Sequence, residues 1–143
     1  MSWLGWALLS AVFAAATAIL AKLGVSGVDS NFATAIRTTV VVVFAWLIVF
    51  AARLGPGAAD TWHVPSNKTW LFLGLSGLAT GASWLCYFRA LQLGPASRVA
   101  PIDKLSVVLV ILAGTLFLGE RMTWGKAVGG VLIAAGAIFV ALD

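Results

Sequence analysis

The chain has 143 residues, of which 62% are hydrophobic and 10% charged, and its formal net charge is +4. Soluble domains run about 45–50% apolar and about 25% charged, and a soluble fold of this length cannot bury so large an apolar share of its chain. A soluble enzyme, a disordered tail and a disulfide scaffold are excluded, the last also because Cys86 is the single cysteine; an all-α, polytopic membrane protein remains.

Five apolar segments follow in chain order, and together they read as a single five-helix domain over residues 1–143. The first runs from about Trp3 to Leu23. No basic residue precedes it and its apolar run is longer than a signal-peptide core, so it reads as a span. Gly24, Gly27, Asp29, Ser30 and Asn31 separate it from the second, Phe32 to Ala52, with Asn31 as the expected cap. The stretch from Arg53 to Lys68, with Pro56, Gly57, Asp60, His63 and Pro65, is the long loop. The third segment runs from Trp70 to Leu93, and Gly94-Pro95 turns the chain into the fourth, Ala96 to Leu118. Gly119 to Thr123 makes the last turn, and the fifth segment runs from Trp124 to Leu142. Each segment has about 20 residues, roughly 30 Å of helix, which matches the hydrocarbon core of a bilayer. Helix is required because an open strand in lipid leaves its backbone unpaired. Trp3, Trp6, Trp62, Trp70 and Trp124 fall at segment ends, where indole prefers the interface.

The nine Lys and Arg residues are scattered singly, with no basic cluster, so nucleic acid is not an expected partner. On the side carrying the loops after spans one and three stand Lys22, Arg37, Arg89, Arg98 and Lys104; on the other stand Arg53, Lys68, Arg121 and Lys126. This near-balance permits insertion in both orientations.

Ionisable residues inside a span are costly and face protein or water. Arg37 lies about 8–9 Å into span two; Asp103 and Lys104 lie at a similar depth in span four, and Arg89 near the end of span three. All enter from one side. Asp103 neutralises Arg37 or Lys104, or the three form a ligand site; Arg89 reads as snorkelling to the headgroups. Pro101 cannot donate to the Ser97 carbonyl, which marks a helix break in span four. Broken helices are where secondary transporters place substrate, although a proline near a helix start is also cheap. Trp84, Tyr87 and Phe88 form an aromatic patch on one face of span three, suited to helix packing, to lining a solute path or to stacking on a cation. Small-residue spacings, Gly77-x-x-x-Gly81 and Gly125-x-x-x-Gly129, allow close helix approach. No metal-ligand spacing, phosphate loop or nucleophile with a nearby base is present in the sequence, so neither a metal, a cofactor nor an enzyme is expected.

The run from Tyr87 to Leu142 resembles the end of an EamA domain of the drug/metabolite transporter superfamily. The features are Tyr87 to Leu91, Gly94-Pro95, Pro101 near the start of its helix, Gly119-Glu120-Arg121, and the spaced glycines from Gly129 to Gly136. Lys22 and Arg37 fit the family's first half. The common members carry two such domains and ten spans, inverted relative to each other, so this chain resembles the half-size bacterial and archaeal members. That implies a multi-pass protein of the cell (inner) membrane, pairing as an antiparallel homodimer or with a half-size partner. It implies transport of a small organic solute between helices. Arg37 and Lys104 would attract a carboxylate or phosphate, Trp84 and Tyr87 would line the path, and Asp103 would neutralise charge or relay a proton. A small multidrug-type cation/proton antiporter is an alternative that requires Asp103 to act as the membrane acid, since span one carries none. A flippase-heterodimer or assembly subunit is another. Glu120 and Arg121 are expected to fix their turn rather than touch solute.

Overall fold

The computed structural model describes residues 2–54 and 65–143. His63, Trp62 and the expected turn residues Pro56, Gly57 and Asp60 lie outside them. Among the described residues the structure is helical, with no strand: α1 (Trp3–Gly24), α2 (Ser30–Arg53), α3 (Asn67–Leu93), α4 (Ala96–Asp103), α5 (Leu105–Phe117) and α6 (Trp124–Leu142). With α4 and α5 taken as one broken span, five helices are long and apolar enough to cross a membrane. The expected spans and these helices agree within a few residues, except that the fourth is interrupted.

The helix starts follow side-chain capping. The Ser2 hydroxyl accepts from Gly5 N–H at 3.4 Å, and the Thr123 hydroxyl accepts from Lys126 N–H at 3.3 Å. Ser66 does the same for Thr69 N–H at 3.2 Å. The cap of α2 is Asp29, not Asn31: its carboxylate accepts from Asn31 N–H at 2.9 Å and Phe32 N–H at 3.0 Å. A carboxylate satisfies two orphan amides and favours the positive helix end, which an amide side chain two residues later cannot do.

The chain divides into two compact units, Met1–Ser26 with Ala90–Asp143, and Gly27–Arg89. In the first, α4 and α5 pack on α6, and α1 packs on α4. Its buried residues are small or apolar: Ala18, Ala21, Val25, Leu91, Gly114, Gly130 and Ala137. An added methyl at Gly130 would lie in ordinary van der Waals contact with Ile111 Cδ1, at 3.7 Å, so α5 and α6 pack closely there. The Gly119-Glu120-Arg121 turn closes α5. Gly119 takes φ +68°, and the Leu118 and Glu120 amides both donate to Gly114 O at 3.1 Å. This αL ending favours glycine. Glu120 folds its carboxylate over Gly114 and pairs with Lys126 Nζ at 2.8 Å, joining the end of α5 to the first turn of α6. The turn-fixing role expected of Glu120 has this geometry.

The second unit holds α2 and α3 up to Arg89. Large apolar residues such as Val40, Phe44, Leu47, Leu71 and Leu78 are exposed along both helices, as lipid-facing surfaces require. In the first half of α2 the residues that are not exposed are polar or small, and they mark the candidate site.

Candidate functional site

The inner stripe of α2 begins with Ser30 and Thr34, which are 4% and 5% exposed. Ala33, Arg37 and Thr38 beside them are half-buried. Spacings of three, four, seven and eight residues put these positions on one face of the helix. The face is compatible with a membrane because its hydroxyls turn back on the helix. Thr34 Oγ1 donates to Ser30 O, and Thr38 Oγ1 donates to Thr34 O, each at 2.7 Å. Such back-bonding satisfies the hydroxyl proton locally and leaves only acceptor lone pairs outward.

Arg37 is the charge in this stripe. Its guanidinium carbon lies 4.2 Å from the centroid of the Trp84 ring and 5.5 Å from that of Phe88. Trp84 and Phe88 are one helical turn apart on α3, which lets both rings face one cation. Phe88 is only 3% exposed, whereas Trp84 and Tyr87 are half-buried. A cation over an aromatic face gains about 0.5–1 kcal/mol when exposed and about 2 kcal/mol when desolvated. The ring face supports the cation through its quadrupole, and a guanidinium is a planar fork of N–H donors that matches a carboxylate or phosphate. Of the expected site residues, Arg37, Trp84 and Tyr87 are thus gathered within one unit, and the aromatic patch stacks on a cation supplied by the chain itself.

Asp103 and Lys104 lie in the other unit and pair with each other, Lys104 Nζ to Asp103 Oδ2 at 3.0 Å. They stand at the interruption of the fourth span. Here the structure differs from the expectation drawn from Pro101. Helix α4 continues through Pro101, and the residue that leaves the helix is Lys104. Its amide donates to Pro101 O, and Val107 N–H donates to Lys104 O, both at 3.0 Å and both spanning three residues rather than four. The span is therefore broken by a tightened, 3₁₀-type turn one turn beyond the proline. The ion pair fits its place, because Lys104 sits at the negative end of α4 and Asp103 beside the positive end of α5.

Sequence reasoning singled out neither Ser30, Thr34 and Thr38 nor the contacts of Lys22. The hydroxyl stripe had a signal, since polar residues recur at helical spacing before an otherwise apolar run. Lys22 Nζ donates to Leu91 O and, at 2.8 Å, to Gly94 O. Among the described residues, no group of three His, Cys, Asp or Glu side chains is placed to hold a metal ion.

Comparison with known proteins matches residues 1–142 to the EamA-like transporter family. The chain belongs to that family. A Sinorhizobium protein, named as an uncharacterized transporter in the cobO 3′ region, is 56% identical over 144 residues, covering 99% of this chain and 97% of that protein. The Bacillus subtilis uncharacterized transporter YvbV is 33% identical over 135 residues, or 94% of this chain, but the match covers only 43% of YvbV. A probable 4-amino-4-deoxy-L-arabinose-phosphoundecaprenol flippase subunit, ArnF of Erwinia tasmaniensis, is 43% identical over 72 residues, which are 49% of this chain and 55% of ArnF. No solved structure matches the chain. This EamA chain is thus a multi-pass membrane protein of a transporter family, and the Sinorhizobium and Bacillus relatives are themselves named as transporters. It is about as long as its Sinorhizobium relative and about half the length of YvbV.

Proposed function

We propose that this EamA chain is a half-size secondary transporter of a small organic solute in the bacterial inner membrane. Residues 1–142 form one repeat, and an antiparallel homodimer supplies the second. The observation that carries the reading is Arg37, a charge kept inside a membrane span and held over the Trp84 ring. A residue so costly to insert is retained for what it binds. Arg37 attracts the solute's carboxylate or phosphate, Trp84 and Tyr87 line the path, and the Asp103–Lys104 pair at the broken span adds an acid and a base. An inverted-repeat transporter builds its site between two halves, which is why one repeat requires a partner.

The test is orientation. Reporters active only in the cytoplasm, or only outside it, are fused after Asp143 and compared. Comparable signals from both are expected. A signal from one reporter alone excludes the antiparallel homodimer. It leaves the second reading, a subunit paired with an oppositely inserted half-size partner, which the similarity to ArnF favours. Co-purification of that partner with the tagged chain then identifies it.

A further inference from the structure

The corner between α3 and α4 has a hydrogen-bond deficit that the sequence makes unavoidable. In a continuing helix the Leu91 carbonyl accepts the amide proton of residue 95, four positions on. Residue 95 is proline and has no such proton. The Gly94 carbonyl is short of a donor for a related reason. The Arg98 and Val99 amides, one of which would serve it in a regular helix, both donate to Pro95 O at 3.1 Å. Leu91 is 0% exposed, so water has no access to make good its loss. Carbonyls shut off from water must find a partner within the protein.

Both find the same one. The half-buried ammonium of Lys22, in the last turn of α1, donates to Leu91 O and Gly94 O. We propose that Lys22 is the positioning residue of the α3–α4 corner: it supplies from α1 the donor that Pro95 cannot, and so fixes where α4 begins. Two of its three N–H bonds are committed to the corner, which sets it apart from a cation kept for solute. Lys22 and Pro95 lie far apart in sequence and form one device only in the fold. The corner stands by itself; its consequence for Asp103 and Lys104, which α4 carries toward the break, rests on the transport reading above.

The test is hydrogen exchange measured by mass spectrometry on the full chain in lipid nanodiscs, with no solute present. It compares the wild type, Lys22→Met, Lys22→Arg and the double variant Lys22→Met/Pro95→Ala. Lys22→Met keeps the stem and removes the donors. It is expected to speed exchange across residues 94–104 by about tenfold or more, the scale of a lost charge-assisted hydrogen bond, with α6 unchanged. Lys22→Arg retains donors and stays close to wild type. Pro95→Ala returns an amide proton four residues after Leu91 and reverses most of the Met defect. Unchanged exchange across 94–104 in Lys22→Met overturns the proposal, as does an equal rise in α6, or a Met defect that Pro95→Ala does not relieve. If Lys22→Met fails to accumulate, recovery of accumulation in the double variant becomes the readout, and its absence overturns the proposal. None of these outcomes depends on whether the chain transports anything, so failure here and failure of the transport reading are separable.

Discussion

Helices α2 and α6 are both long and apolar enough to cross a membrane, yet they turn opposite kinds of residue inward. Past the first turn of α6, where Lys126 pairs with Glu120, the inward positions are Gly129, Gly130, Ala134, Ala137 and Ala141. On the first half of α2 they are Ser30, Ala33, Thr34, Arg37 and Thr38. Lipid is as apolar as leucine, so a membrane helix gains little by hiding apolar side chains. Small residues gain by letting backbones approach. The α6 stripe is therefore explained by packing alone. The α2 stripe is not, since its charge costs about 2.5–3.5 kcal/mol at a span centre, less near an end, and close packing has no need of it. The difference separates what holds the fold from what the fold carries.

Substitutions sharpen that separation. Arg37→Ala is expected to reduce solute transport by about a hundredfold or more, the scale of truncating one partner of a buried charge pair. Trp84→Ala removes the ring beneath the cation and should weaken apparent solute affinity by about tenfold, with Trp84→Phe intermediate; transport rates across a solute concentration series read both. On the packing side, Gly130→Leu crowds Ile111 and should destabilise the protein by about 1–3 kcal/mol, seen as a lower melting temperature in detergent. Transport by the Gly130→Leu protein that remains folded should be near normal. A Gly130→Leu variant that folds normally but does not transport would break the comparison.

Most of the helical plan was legible in the sequence because a bilayer imposes length, apolarity and turn chemistry together. Trp124 to Leu142 was read to the residue, and Gly94-Pro95 and Gly119 to Thr123 fell where the chain turns. The cap of α2 was misread because Asn31 and Asp29 are both good capping residues and only geometry separates them. The break at Lys104 was placed a turn early. Proline removes the donor for the Ser97 carbonyl, but the helix carries on through that loss and tightens at Lys104 instead. Arg37, Trp84 and Tyr87 were legible as types, an intramembrane charge and an aromatic face. That the charge rests on the aromatic face was not, since Arg37 and Trp84 lie far apart in sequence and meet only in the fold. Lys22 was hidden for the same reason, although Pro95 four residues after Leu91 already left a carbonyl to be satisfied.

The most direct test of the α2 stripe as the solute-binding element uses Arg37→Ala alone, with two measurements on one preparation. The variant is purified beside the wild type, its melting temperature is taken in detergent, and the same sample is reconstituted for uptake of a panel of small organic acids and phosphate esters. Removing a charge from a span lowers the cost of insertion, so the variant is expected to melt at or above the wild-type temperature and to lose uptake of the solutes the wild type carries. A variant that melts well below the wild type would make Arg37 a structural residue, and one that transports as well as the wild type would remove it from the solute site.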